Sequence, residues 1–237
     1  MSIEFLDTID STNLYFKRKS ESNELNKGDV VVAQIQDGGR GRLGRSFYSP
    51  LGGIYLTISY GYKNDYDASY LSLMPSAALA LSKLIKQGLG KETYIKWPND
   101  ILYNGKKVVG ILAERTTKGD LILGVGINYD INFDNTPLKD IAISLYSNST
   151  PKLSKLDFTL KVISCLLHLK TFEKAPELVK EYNKLCLNID KFITVKTING
   201  NIIGKGIALG IDKTGAMNIK NNLNKIQKIS SGEITLH

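Results

Sequence analysis

The stretch DGGRGRLGR, residues 37–45, constrains the chain more than any other. Four glycines among nine residues deny it a helix or strand interior, because glycine loses the most backbone freedom on ordering and gives nothing to pack. It cannot be regular structure, and it is expected to stay mobile until a ligand orders it. It follows DVVVAQIQ (29–36), a β-branched run that reads as a strand, and precedes a second strand, GIYLTISY (53–60). A loop set between two strong strands serves a pocket. Its bare amides suit an anion-binding concavity. Arg40, Arg42 and Arg45 add planar donor forks suited to phosphate or carboxylate. It is not a Walker A loop, since no Lys-Ser/Thr pair follows Gly44. Taken alone, the segment also fits a basic linker or an RGG-like RNA-binding tract.

The rest of the chain is read by period and punctuation. Residues 3–9 alternate as a strand, and Asp10 or Ser11 caps a short helix over TNLYFKRK. A long amphipathic helix runs from Ala68 to Gln87 despite Pro75, stopped by Gly88 and Gly90. A short strand, 93–96, breaks at WPND. Residues 101–103 and 106–114 flank Asn104–Gly105, the strongest short hairpin signal. Another strand covers 121–129, and 130–151 reads as a long polar surface loop. Ser154 with Asp157 resembles a capping box for a helix reaching about Lys174, and Pro176 suits the first turn of another reaching about Leu185. From Phe192 the pattern becomes short strands and turns: FITVKT, NIIGKGIALGID, AMNIK, SGEITL. The expected fold is therefore α+β. Residues 1–187 form a domain with a central sheet and segregated helices, and residues 188–237 a small β-barrel. The order is not an alternating βαβα pattern, which disfavours a doubly wound nucleotide fold.

Apolar residues make up 42 % of the 237, enough for a real core, and no run reaches the roughly 20 apolar residues of a membrane helix. The first residues lack a basic and apolar signal pattern, so a cytoplasmic protein with no membrane partner is expected. Cys165 and Cys186 fit no metal spacing and read as inert core thiols. With His168 and His237 as the only histidines, no dedicated metal site is expected. The net charge of +8 permits nucleic acid, phosphate or an acidic partner, although the lysines are spread out as on a solvated surface.

Three further motifs bear on chemistry. KWPND (96–100) ends a strand with Lys96 rigidly aimed, Pro98 fixing the backbone after Trp97, and Asn99 and Asp100 in a tight turn. A lysine so held can face a phosphate or an acyl oxygen; an ordinary turn with a core tryptophan fits equally. GILAE (110–114) and GVGIN (124–128) place glycines inside strands, which marks close approach of a ligand or plain sheet packing. DSTN (10–13) sets hydroxyls and amides at a helix N-terminus, suited to a carboxylate or polar carbonyl, or to a simple cap.

In order, DSTN, AQIQDGGRGRLGRSF, KWPND, KVVGILAE, GVGIN, GIDKTGAM and SGEITL resemble the biotin protein ligase family across essentially the whole chain. The glycine–arginine loop and KWPND together are highly specific to it. The resemblance implies an ATP-dependent biotin–[acetyl-CoA-carboxylase] ligase. It would make biotinyl-5′-adenylate with Mg²⁺ and pass biotin to a lysine of a biotin carboxyl carrier protein. The implied catalytic residues are Lys96, Arg42 and Asp100, the last as proton acceptor. The implied biotin side is Ser11, Thr12, Asn13, Gln36, Gly39, Arg40, Arg42, Lys96, Gly110, Leu112, Gly124 and Gly126. The implied nucleotide side is Arg42, Arg45, Phe47, Lys96, Asn99, Lys107 and Asn128. It also implies that residues 188–237 are an SH3-like domain. Phe47 stands where relatives often carry tryptophan. Leu209 stands where some carry an arginine thought to assist ATP, which puts an ATP role for the C-terminal domain in doubt. The motifs begin at Asp10, so the short class without a winged-helix DNA-binding domain is expected, with no specific nucleic-acid partner. Monomer and homodimer stay open. A lipoate ligase of related fold is the nearest alternative; an RNA-binding protein and a non-catalytic biotin sensor are more distant.

Overall fold

The computed structural model describes residues 1–62, 69–146, 151, 153–172 and 174–236. The helix start read at Ala68 and the histidine at 237 lie outside them. A seven-stranded sheet carries the first part of the chain, in the order β1-β2-β3-β7-β6-β5-β4. Its strands are β1 (Ile3–Ile9), β2 (Val30–Gln36), β3 (Ile54–Tyr62), β4 (Tyr94–Lys96), β5 (Asp100–Tyr103), β6 (Lys106–Arg115) and β7 (Asp120–Ile127). β1 and β2 are parallel and need a crossover, supplied by α1 (Thr12–Glu21); the other neighbours are antiparallel.

The sheet is covered on both faces, and β2 shows why its sequence is so apolar. Val31 packs with Phe16 of α1 and Ile122 of β7. Val30 and Val32 point the other way, into the main core with Leu73, Leu81 and Ile85 of α2 (Ser69–Leu89) and Phe158 and Val162 of α3 (Lys155–Leu167). Each such aliphatic side chain contributes about 1.5–3 kcal/mol on full burial. A strand buried on both sides loses its alternation and reads as a continuous run.

Asn104 and Gly105, at φ 49° and 77°, form the tight β5–β6 turn that their residue types demand. Gly88 does not stop α2 but lies inside it; Gly90, at φ 67°, ends it with its amide on the Lys86 carbonyl. Ser154 caps α3 by accepting from the Asp157 amide, and its hydroxyl donates to the Asp157 carboxylate rather than closing a full capping box. Pro176 falls just outside α4 (Leu178–Leu185), where its carbonyl accepts from Val179. Residues 130–146 carry no helix or strand, yet this is no mere surface loop. Ile131, Phe133, Leu145 and Tyr146 are buried, and Lys107 pairs with Ala142.

The remaining strands are β8 (Phe192–Lys196), β9 (Ile202–Ile211), β10 (Met217–Lys220), β11 (Ile226–Ile229) and β12 (Glu233–Leu236). They form an antiparallel sheet in the order β11-β10-β9-β8-β12. Its inner face, including Ile193, Val195, Ala208 and Met217, belongs to the same buried cluster as the large sheet. Polar clamps join the two. The Trp97 indole N–H donates to Gly215 O at 2.9 Å, the Trp97 amide to Asn188 Oδ1 at 2.8 Å, and the Ile211 amide to Asn183 Oδ1 at 2.9 Å. Burial pushes the Cys186 thiol up to about 11, and burial also raises Cys165, so neither is poised as a thiolate. Among the described residues no helix is long and apolar enough to cross a membrane, and no cluster of His, Cys, Asp and Glu could hold a metal ion.

Candidate active site

A cavity opens where β6 and β7 face the first turn of α1, with the glycine–arginine loop on one side and β12 on the other. Its floor is made by omission. Gly110 pairs with Gly126 and Leu112 with Gly124 across β6 and β7. A Cβ on Gly110 or Gly126 would lie 2.8 or 2.5 Å from the Phe47 ring, and one on Gly124 would lie 2.2 Å from Asn13 Oδ1. Any side chain there would fill the space.

Ser11, Thr12 and Asn13 form the inner end. Ser11 occupies the N-cap position without capping through its hydroxyl. Gln36, at the end of β2, takes that duty: its Oε1 accepts from the Thr12 amide at 2.9 Å and the Thr12 hydroxyl at 3.0 Å. Its Nε2 donates to Ser49, whose hydroxyl donates to Phe47 O. Gln36 therefore ties the helix start to the base of the loop. The helix N-terminus adds a positive end to this wall.

The KWPND segment supplies a second wall. Asn99 is fixed twice by Ile111, its side-chain Nδ2 donating to Ile111 O at 2.9 Å while its backbone carbonyl accepts from Ile111 N at 3.1 Å. Asp100, opposite Gly110, has Lys107 Nζ 2.7 Å away. That ammonium also lies 5.5 Å from the Phe47 ring centroid and close over Gly110, so it stands on the floor itself. Lys96 ends β4 at the cavity edge, with no carboxylate paired to it among the described residues.

The loop carries backbone pairing that its composition does not announce. Arg40 bridges Ser46, Phe47 N donates to Gly39 O, and residues Arg42–Gly44 form a 3₁₀ turn. Strand-like pairing at its base satisfies amides that a free loop would leave to water. Its arginines reach the C-terminal sheet: Arg42 donates to Gly232 O at 3.3 Å and Asn99 Oδ1 at 3.4 Å, and Arg45 pairs with Glu233. Five cationic side chains line the cavity (Arg40, Arg42, Arg45, Lys96 and Lys107) against two carboxylates, Asp100 and Glu233.

Most of the residues expected from the sequence meet here, but two do not line the space. Gly39 is buried beneath the loop, where a Cβ would lie 2.3 Å from Phe47 O and 2.5 Å from Ser49 Oγ. Asn128 is buried behind Lys107 and donates to its carbonyl at 3.2 Å. Leu209 is exposed on the small sheet, outside the cavity. Sequence reasoning missed Gly232, Glu233 and Ile234 on the rim. Their signal was the SGEITL motif, a glycine beside an acid at a strand start.

A cationic, glycine-floored cleft between two clamped units suits an elongated ligand with an anionic end. The profile of the biotin/lipoate A/B protein ligase family matches residues 5–132, and that of the biotin protein ligase C-terminal domain matches residues 189–236. The bifunctional ligase/repressor BirA of Bacillus spizizenii is 34 % identical over 98 % of this chain and 73 % of its own. A biotin–[acetyl-CoA-carboxylase] ligase of Mycobacterium tuberculosis is 27 % identical over 87 % of this chain and 79 % of its own. The biotin protein ligase of Aquifex aeolicus, solved with biotin and ATP, superposes with a TM-score of 0.79. It is 27 % identical, covering 100 % of this chain and 98 % of that one. The chain belongs to the biotin/lipoate A/B protein ligase family and, within it, to the biotin protein ligases.

Proposed function

We infer that the protein activates biotin with ATP to biotinyl-5′-adenylate and transfers the biotinyl group to a lysine of a biotin carboxyl carrier protein. The observation that carries this reading is one cavity joining a glycine floor to five cations, in a chain of this family. The fused rings of biotin lie on Gly110, Gly124 and Gly126, beside Leu112, with their polar end toward Ser11, Thr12, Asn13 and Gln36. The carboxylate turns toward Lys96, Lys107 and Arg42. Its oxygen attacks the α-phosphorus of ATP while the bond to pyrophosphate breaks. Such transfer is accelerated chiefly by positioning and by neutralising charge. Arg40, Arg42 and Arg45 face the phosphates, with Phe47 and Asn99 toward the nucleoside. Gly39 and Asn128 support the loop and Lys107 from behind. The closed loop keeps water from the mixed anhydride. The acceptor amine then attacks the acyl carbon, the bond to AMP breaks, and Asp100 takes the proton once Lys107 has turned to the phosphate.

Asp100 and Glu233 each already face a cation, so the residues present fit a Mg²⁺ ion that would arrive with the nucleotide and would neutralise phosphate charge. The cytoplasm, with its ATP, is the compartment proposed. Residues 1–187 carry the chemistry in this reading, and residues 188–237, an SH3-like unit, close the rim through Gly232 and Glu233. The test is transfer of labelled biotin by the purified protein, with MgATP, to an apo carrier domain. Labelling of the carrier lysine is expected. No biotin-dependent pyrophosphate exchange, or equal exchange with lipoate, would overturn the reading.

A further inference from the structure

Asn13 is 4 % exposed, and its side chain is wedged between α1 and three strands. Its Nδ2 donates to Glu114 Oε2 on β6 at 2.7 Å, and its Oδ1 accepts from Thr57 Oγ1 on β3 at 2.6 Å. The same Oδ1 stands over Gly124 on β7, where a Cβ would come within 2.2 Å. The other oxygen of Glu114 is 2.6 Å from Lys17 Nζ, one helical turn beyond Asn13. Glu114 itself does not line the cavity; Asn13 and Gly124 do.

The chemistry of this chain is directional. A carboxylate only accepts, so it decides which end of the Asn13 amide faces it. The reversed amide would set Oδ1 against the carboxylate and leave the Thr57 hydroxyl facing an NH₂ group. Hydrogen bonds to a charged partner are also the stronger kind, and this one is largely shielded from solvent. Lys17 Nζ, 2.6 Å from the other oxygen, holds the Glu114 carboxylate in place. Asn13 is thus held in one orientation over Gly124.

We propose that Glu114 is a positioning residue for biotin, acting through Asn13 on the wall above Gly124 without touching the substrate. This rests on the biotin reading given above. Losing a hydrogen bond to a charged group corresponds to about a tenfold change in an equilibrium. Glu114→Ala therefore raises the biotin KM about tenfold in pyrophosphate exchange, with kcat and ATP KM within about twofold of wild type. Glu114→Gln restores the biotin KM, because its amide oxygen still accepts from Asn13. Thr57→Val removes the hydroxyl that holds Asn13 Oδ1 from β3 and raises the biotin KM in the same way, with kcat and ATP KM within about twofold of wild type. It serves as the independent variant if alanine at 114 does not fold.

The experiment is steady-state exchange on the intact protein with biotin and ATP varied separately. An unchanged biotin KM in Glu114→Ala overturns the proposal. So does a parallel rise in both KM values, which is general loosening, or a Glu114→Gln as impaired as the alanine variant. If wild type shows no biotin-dependent exchange, the parent reading falls as well. If wild type is active, the variants judge this inference alone.

Discussion

The floor and the loop of the cavity both depend on glycine, for opposite reasons. Gly110, Gly124 and Gly126 sit in regular extended pairing between β6 and β7 and contribute missing volume. Gly44, at φ 76° with nothing near its Cβ direction, contributes a backbone turn that carries Arg42 and Arg45 round to face the cavity. The floor is held by hydrogen bonds along two neighbouring strands. The loop is held by a few bridges and two arginine contacts, one to Gly232 just before β12 and one to Glu233 at its start. Shape is therefore assigned to the sheet, and charge to a segment that can rearrange around phosphates.

The largest effects should come from the cations. Lys107→Ala and Lys96→Ala should each keep the fold and lose adenylate synthesis by about 10²–10³-fold, the scale of removing one fixed electrostatic contact. Thermal melting and biotin-dependent pyrophosphate exchange, measured together, check this; exchange within tenfold of wild type sinks the role of that lysine. The two glycine types separate next. Gly126→Ala puts a methyl 2.5 Å from Phe47, and the displaced ring should raise the biotin KM about tenfold. Gly44→Ala meets no atom, so it should cost about 1–2 kcal/mol of local strain and leave the biotin KM nearly unchanged. Equal effects on biotin KM would erase the distinction between floor and loop.

Smaller effects come from contacts away from the cavity's floor and cations. Trp97→Phe keeps the aromatic packing but deletes the bond to Gly215, for about 1 kcal/mol and a melting temperature lower by about 2–4 °C. An unchanged melting curve would mean that the clamp adds nothing. The smallest effect is acid sensitivity at the β1–α1 corner. Lys19 and Tyr15 hold Glu4 below its ordinary 4.5, and Arg18 holds Asp10 below 3.8. Lowered folded values mean that this stability is complete above the ordinary values and lost as pH falls through the folded ones. The urea midpoint should hold down to about pH 5 and fall below about pH 4; a rise on acidification would contradict the pairing.

Much of this was legible because the physics was local. A β-branched run buried on two sides, an Asn-Gly turn and a glycine-rich loop between strands each carry their signal in a few adjacent residues. What failed to show was set by partners far away in sequence. Asn128 looked like a ligand contact, yet its amide serves the carbonyl of Lys107. Ser11 looked like a cap, yet Gln36 reaches across from β2 to do that work. β11 went unread because only Ile229 of its four residues is buried, leaving no alternation to detect. The loop read as shapeless because composition does not reveal the pairing of Arg40 with Ser46.

Lys96 and Trp97 are adjacent, and their side chains answer to different parts of the molecule. One ends at the cavity; the other is pinned, through its indole and its amide, to Gly215 and Asn188. The end of the strand that carries the lysine and one of the clamps on the small sheet thus share a single peptide unit. A cut after Leu187 would strand the indole N–H without its acceptor and bare the shared core. The distal sheet and the strand that carries Lys96 thus share one hydrogen-bonded, buried seam.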